Sequence, residues 1–202
     1  MSSPPTLSNF TVHYSGNTIN PSRIYYLSAV VGSEALGYYQ CKNYNMTDSQ
    51  IKELYKAQAV AANTYLEYTA KVNPKHSGYT VCSISHCQTY DPTKITTFIT
   101  NAVNEIMFNI SSDYYCLLQL YTGGTSAYSY IYGAYFARCA GTTLAYPGSS
   151  QPALKAVSCT DIGGNTVLSG NGWGMCQYGA AYQASIGKSS LNILNKYYTN
   201  TA

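Results

Sequence analysis

Apolar residues recur at helical spacing near the start of the chain. Ile24 and Leu27 begin such a series, and Asn20 and Pro21 ahead of them are typical of a helix start. The small residues that follow the apolar run are typical of a helix end. The pattern therefore predicts a first helix that begins at Asn20-Pro21 and ends near residues 34–37.

The stretch from residue 48 to residue 71 carries the strongest helical pattern in the sequence. Thr47, with Gln50 three residues later, matches a capping box and predicts where this helix begins. Asp91 and Pro92 predict the start of a further helix. The expected buried face of the first of these helices is Ile51, Leu54, Tyr55, Gln58, Ala62 and Tyr65. That of the second is Ile95, Phe98, Ile99, Ala102, Val103 and Ile106.

Short runs rich in aromatic and branched residues predict strands at 10–14, 114–121, 128–139 and 154–159. Residues 38–45 are expected to form a loop, and two helices are expected at 178–186 and 191–198. We therefore predict an α+β fold. A single mixed domain over residues 21–202 would pack helices around a small, mainly antiparallel sheet, preceded by an N-terminal extension over residues 1–20.

Composition narrows the range of functions. Charged residues make up only 9% of the chain, against about 25% in an ordinary soluble domain, and 23 tyrosines take much of their place. The 11 basic residues are scattered, which disfavours nucleic acid as a partner. No apolar run approaches the roughly 18 residues of a membrane span, and no signal-peptide pattern is visible. Seven cysteines with so few charges favour a secreted or envelope protein.

Four potential metal ligands lie within twelve residues: His76, Cys82, His86 and Cys87. Two histidines and two cysteines are a common zinc-binding set, and four protein ligands leave no open position for a catalytic water. A bound zinc would therefore be structural. The spacing lacks the familiar CxxC knuckle, so a Cys82–Cys87 disulfide beside ordinary loop histidines stays open. A Cys87 nucleophile is disfavoured because no group is in sight to orient His86.

Glu34 stands apart from the other seven acidic residues of the chain. It ends an apolar segment beside a small-residue turn, where a carboxyl group can hold a proton for donation. The others have simpler explanations as helix caps, solvated helix faces or turn residues. On position alone, a glutamate that merely ends a helix is the favoured interpretation.

Three stretches resemble the stage II sporulation protein D family: YLSAVVGSEALG (26–37), ELYKAQAVAANTYLEY (53–68) and GNGWGMCQYGAAYQASIGKSSLNILNKYY (170–198). YIYGAYFARCAGTT (130–143) and LKAVSC (154–159) resemble further segments of the family pattern. This resemblance implies a lytic transglycosylase of peptidoglycan, which cleaves the bond from N-acetylmuramic acid (MurNAc) to N-acetylglucosamine (GlcNAc) and leaves 1,6-anhydro ends. The expected substrate is glycan strands stripped of stem peptides.

The same resemblance assigns roles to residues. It implies Glu34 as the catalytic acid and base, and one structural zinc on His76, Cys82, His86 and Cys87 at the wall of the cleft. Four residues in the matching motifs are candidates to hold the glycan: Gln58, Tyr135, Gln177 and Tyr178. For Tyr135, a packing role is equally expected from the residue type.

The chain departs from the family pattern at polar positions. Asn63 stands where arginine is usual, Asn171 and Trp173 replace histidine and valine, and Ala137 falls where the family has a small polar residue. We expect these positions near the cleft, with Arg138 as a candidate replacement for the missing arginine. These changes keep a second hypothesis open, a non-catalytic glycan-binding domain that enhances a wall amidase or another wall-remodelling partner. An inert secreted structural protein would leave Glu34 unexplained.

Five cysteines remain after the proposed zinc ligands. Two disulfides and one free thiol would account for them, and the sequence does not supply the pairing. They are Cys41, Cys116, Cys139, Cys159 and Cys176.

Overall fold

The helix predicted from the capping box forms the centre of the molecule. In the computed structural model it spans Asp48–Lys71, and Thr47 and Gln50 form the capping box. Residues 57–67 are buried on every side of the helix, because four other helices pack around it. The single buried face expected from the sequence was therefore too narrow.

The structure describes residues 9–108, 118–120, 128–148 and 150–199. Within these ranges the α-helices are α1 (Arg23–Glu34), α2 (Tyr38–Asn43), α3 (Asp48–Lys71), α4 (Thr97–Phe108), α5 (Gln177–Ser185) and α6 (Ser190–Tyr197). A 3-10 turn at Pro92–Lys94 precedes α4. None of the described helices has the length and apolar character needed to cross a membrane.

Strands are short and fall into three small sheets. They are β1 (Val12–Tyr14), β2 (Asn17–Ile19), β3 (Val81–Cys82), β4 (Leu118–Leu120), β5 (Tyr128–Tyr130), β6 (Tyr135–Phe136) and β7 (Met175–Cys176). Pairs β1–β2 and β4–β5 are antiparallel, whereas β1–β3 and β6–β7 are parallel. The α+β class is confirmed, and the strand pairing is mixed. The domain boundary at residue 20 stays a prediction.

Several local predictions need correction. The cap of α1 is Ser22, whose hydroxyl accepts from the Tyr25 N–H, so the helix begins later than Asn20-Pro21. The predicted loop at 38–45 contains α2, because burial of Cys41 gives this short segment an apolar anchor. Asp91 caps the 3-10 turn rather than α4 itself.

The predicted strand at 154–159 is also wrong. The segment runs antiparallel to residues 141–146, but its backbone hydrogen bonds to them are too widely spaced for a continuous ladder, and they leave one isolated bridge from Ser158 to Thr142. Of the predicted strand at 114–121, only residues 118–120 lie within the described part of the chain, where they form β4.

Among the described residues, a disulfide joins Cys139 to Cys159. Cys41 and Cys176 carry free thiols, so the second disulfide that the cysteine count allowed is not formed by either of them. Cys116 lies outside the described residues.

A buried ion pair joins α1 to the central helix. The Arg23 guanidinium lies 2.7 Å from the Glu67 carboxylate, and both side chains are almost completely buried. The same guanidinium donates to Asn63 Oδ1 at 2.5 Å, and Lys71 approaches Glu67 at 3.2 Å. Removing one charge from such a group deprives the opposite charge of its counter-ion in a medium of low dielectric constant.

We expect Glu67→Gln to lower the free energy of unfolding by about 3 kcal/mol or more. The variant keeps the shape of the side chain but leaves Arg23 buried beside a neutral amide. Chemical denaturation monitored by circular dichroism measures the loss. The Arg23→Met/Glu67→Leu double variant should lose less than Glu67→Gln, since both charges leave together. A loss below about 1 kcal/mol for Glu67→Gln would contradict the role of this pair.

Candidate active site and metal cluster

A cleft of about 370 Å³ opens where α1 ends. Its walls come from the loop after β3, from the segment around β6 and from the start of α5. Among the described residues that line it, Glu34 is the one carboxylate. The lining comprises Glu34, Tyr65, Ser85, His86, Cys87, Thr89, Tyr132, Ala134, Tyr135, Phe136, Ala137, Gly170, Asn171 and Gln177.

Two hydrogen bonds hold the Glu34 carboxylate at the last position of α1. The backbone N–H of Thr89 donates to Oε1 at 2.6 Å, and Gln177 Nε2 lies 3.4 Å from Oε2. The side chain is half-buried, so it contacts the cleft and stays in reach of solvent. One oxygen is thus firmly bound, and the other is held only by a longer contact.

Tyr135 forms the floor beside Glu34. Burial, together with the nearby Glu34 carboxylate, raises the pKa of the Tyr135 phenol well above its usual value. The phenol therefore stays protonated at neutral pH, and it donates to Gln88 Oε1 at 2.9 Å. Gln88 in turn donates to the Ala62 carbonyl of α3 at 3.1 Å, which fixes this wall to the central helix.

The structure brings only part of the predicted glycan-binding set together. Tyr135 and Gln177 line the cleft with Glu34, whereas Gln58 is fully buried in α3 and does not reach the cleft. Neither polar atom of the Gln58 amide has a hydrogen-bond partner among the described residues. Tyr178 lies outside the cleft lining, and its hydroxyl accepts from Gln40 of α2 at 2.6 Å.

Only some of the positions that depart from the family pattern lie at the cleft. Ala137 and Asn171 line the cleft, as expected. Asn63 does not, because its amide is buried against Arg23 on the far side of α3. The cation beside Asn63 is therefore Arg23, and Arg138 instead stacks on Tyr178 with its guanidinium carbon 3.6 Å from the ring centre.

The glycine-rich loop before α5 has a shape that its glycines make possible. Gly170, Gly172 and Gly174 all have positive φ, between 71° and 105°. A Cβ on Gly172 would lie 2.8 Å from the Leu144 side chain, so this position also needs a bare backbone. The alternation of glycines with larger residues in this loop places Asn171 in the lining of the cleft. The Asn171 Oδ1 accepts a hydrogen bond from the Trp173 N–H at 2.8 Å.

The four predicted metal ligands converge. His76 Nε2 lies 3.2 Å from Cys87 Sγ, and His86 Nδ1 lies 3.7 Å from Cys82 Sγ and 3.9 Å from Cys87 Sγ. All four ligand atoms lie within 4.8 Å of one another. Tetrahedral zinc, with bonds of about 2.0–2.3 Å, separates its ligand atoms by about 3.3–3.8 Å. The donor set and its spacing fit a closed tetrahedral metal site.

The alternative prediction, a disulfide between Cys82 and Cys87, is wrong. Cys82 and Cys87 carry free thiols and form no disulfide with each other. Two of the cluster residues, His86 and Cys87, also line the cleft, and Thr89, which binds Glu34, follows two residues later. The conformation of the loop that carries the four candidate ligands therefore determines where the partner of Glu34 lies.

Some residues of the site gave no signal in the sequence. Thr89 contributes a backbone N–H, which any residue type supplies. Tyr65 and Tyr132 line the cleft but belong to a chain with 23 tyrosines, so residue type alone could not single them out. Gln88 directly follows the last of the four candidate metal ligands, and this proximity is the one feature of the sequence that points to it.

The sequence model of the SpoIID family, described as stage II sporulation protein, matches residues 23–110. This segment belongs to the SpoIID family. It contains α1 with Glu34, the central helix, the metal cluster and Thr89, and it makes up less than half of the chain. The glycine-rich loop and Gln177 lie beyond it. Membership agrees with a cell-wall-related role in the envelope or outside the cell. No curated protein sequence matches the chain.

Proposed function

We propose that this protein is a secreted or envelope lytic transglycosylase that cleaves the MurNAc–GlcNAc bond of peptidoglycan, with Glu34 as its acid and base. The observation that carries the proposal is a lone carboxylate in a cleft of the described structure, held by the Thr89 N–H and near Gln177. Hydrolytic glycosidases usually require two carboxylates that flank the bond. A lytic transglycosylase requires one, because no water has to be activated.

Glu34 would act twice in one turnover. The carboxyl proton passes to the glycosidic oxygen as the bond from C1 of MurNAc to that oxygen breaks, which releases a GlcNAc hydroxyl. The carboxylate then takes the proton of the MurNAc O6 hydroxyl while O6 bonds to C1 and closes the anhydro ring. The acid returns to its starting state, and no water is consumed.

The hydrogen bonds around Glu34 suit these two roles. Oε1 accepts the short bond from Thr89, so the weakly held Oε2 is the oxygen that exchanges the proton. The Gln177 amide steadies the carboxylate after the first transfer. Tyr135 and Gln177 line the cleft and are placed to contact the sugar, whereas Gln58 and Tyr178 would act only by supporting the walls.

The metal cluster would have a structural part in this scheme. One zinc ion would be held by His76, Cys82, His86 and Cys87. Four protein ligands complete the coordination shell of zinc. Bound there, zinc supplies no Lewis-acid or water chemistry and instead fixes the loop. Fixing the loop positions the Thr89 N–H against Glu34.

A second candidate is a glycan-binding domain without turnover. Ala137 and Asn171 line the cleft where the family pattern has a small polar residue and a histidine, and this observation favours the binding domain. Such a domain would bring a wall-remodelling partner, such as an amidase, to peptidoglycan strands.

Incubation with peptide-stripped and with intact glycan strands separates the two candidates. The transglycosylase account predicts soluble fragments with anhydro ends, formed faster from stripped strands. Co-sedimentation with both substrates but no new ends would favour the binding domain and contradict the enzyme.

A further inference from the structure

Aromatic rings continue out of the cleft in a connected row. Tyr132, which lines the cleft, contacts Tyr146 with ring centres 5.9 Å apart, and Tyr146 contacts Trp173 at 4.9 Å. All three side chains are half-buried, so each ring keeps part of its surface in solvent. We refer to Tyr132, Tyr146 and Trp173 as the aromatic shelf.

Hydrogen bonds of the main chain fix the backbone that carries each ring of the shelf. The Tyr132 N–H donates to Gln151 Oε1 at 2.7 Å, and the Tyr146 N–H donates to the Leu154 carbonyl at 2.9 Å. Trp173 lies on a bridge to Leu144, and its N–H donates to Asn171 of the cleft. A surface fixed before binding loses little conformational entropy when a ligand arrives.

The rings of the shelf meet edge-to-face, at interplanar angles of 73° and 64°, so a sugar would stack on the face of one ring at a time. Tyrosine and tryptophan combine a flat apolar body with a polar edge, and a pyranose combines an apolar C–H face with hydroxyl edges. Leu144, which is 45% exposed, adds apolar surface beside Trp173. The polar rims of the rings remain available for hydroxyl and acetamido groups.

We propose that the aromatic shelf is a glycan subsite that stacks a sugar residue of the strand next to the bond held at Glu34, with Trp173 as its main platform. The proposal takes its ligand class from the proposed function, since the occupant is an N-acetylhexosamine of the same strand. It does not depend on whether that strand is cleaved.

The chain has one tryptophan, so its fluorescence reports directly on the shelf. The probes are GlcNAc oligomers of increasing length and peptide-stripped glycan strands, titrated into the Glu34→Gln protein. We expect a shift in Trp173 emission that saturates with the same dissociation constant as calorimetry. Saturable binding by calorimetry with unchanged emission would overturn the proposal.

Substitutions in the aromatic shelf test sugar stacking without relying on Trp173 fluorescence. Trp173→Leu and Tyr146→Leu should each weaken oligomer binding roughly three- to tenfold by calorimetry, as aromatic contacts of this kind predict. Tyr25→Leu is the matched control, because Tyr25 is 47% exposed at the far end of α1 and should bind like the parent protein. Thermal melting of each variant identifies any that has failed to fold. Unchanged affinity in a folded Trp173→Leu and a folded Tyr146→Leu would sink the proposal.

The shelf and the proposed function fail in distinguishable ways. Binding that depends on Trp173, with no cleavage by wild-type protein, would support the shelf and contradict the transglycosylase. If cleavage and glycan binding are both unchanged by Trp173→Leu, the result supports the enzyme and overturns the shelf. Absence of binding to every probe would overturn the shelf as well.

Discussion

Glu34→Gln should reduce strand cleavage by at least about a thousandfold. One general acid or base contributes roughly 10²–10⁴-fold, and Glu34 would serve as both in this reaction. The amide keeps the size of the side chain and still accepts the Thr89 N–H, so the melting temperature should change by no more than about 2 °C. Chromatographic counting of new strand ends and thermal denaturation give the two readouts.

Glu105→Gln is the matched control for this substitution. Glu105 pairs with Lys52 and Lys56 at 2.7 and 2.9 Å on the surface of α4, and it does not line the cleft. Exposed pairs contribute about 1 kcal/mol or less, so this variant should keep wild-type activity and nearly wild-type stability. A large loss of stability in Glu34→Gln would instead place Glu34 in a structural role.

Removing the metal should unfold or strongly destabilise the protein. Elemental analysis should find one zinc ion per chain, because four ligand atoms of a zinc-binding type converge to within 4.8 Å of one another. Structural zinc sites carry much of the folding energy of their loops, so a chelator should lower the free energy of unfolding by about 5 kcal/mol or more. In a chain of this size such a loss lowers the melting temperature by roughly 10–20 °C.

Cysteine variants assign this effect to the cluster. Cys82→Ser should abolish zinc binding, whereas Cys41→Ser changes an equally buried cysteine outside the cluster and should keep the full zinc content. Because Thr89 follows the cluster and binds Glu34, the chelated protein should also lose cleavage at temperatures where it stays folded. The metal site is refuted if the purified protein contains no zinc and its melting temperature is the same with and without the chelator.

Local signals in the sequence predicted the helices well where caps and periodicity agreed. Thr47 and Gln50 form the capping box that their spacing indicated, and α5 and α6 lie where the pattern placed them. The helix α2 was missed because its six residues have little helical pattern, and its stability comes from tertiary burial of Cys41. Propensity is a weak guide to a segment this short.

The site was predictable in its residue types but not in its contacts. Glu34 and the four candidate metal ligands stood out from the sequence, whereas the Thr89 backbone N–H has no residue signature. Gln58 shares a motif with neighbours of the site but lies buried in α3, since a helix packed on all sides directs some motif residues into the core.

Asn63 illustrates a further limit. The residue at that position and Arg23 are distant in sequence, and only the fold brings the Arg23 cation against the Asn63 amide. Asparagine in place of the usual arginine at this position looked like a loss of positive charge near the cleft. Asn63 is instead part of a buried network away from the cleft, in which Arg23 of α1 supplies the positive charge.

The most direct test of the proposed reaction is to cleave peptide-stripped glycan strands in water enriched in heavy oxygen and to weigh the new ends by mass spectrometry. The account predicts anhydro ends that contain no heavy oxygen, formed by wild-type protein and not by Glu34→Gln. New reducing ends that carry the label would mean that water attacks the sugar, and would contradict the central claim that Glu34 closes the ring without it.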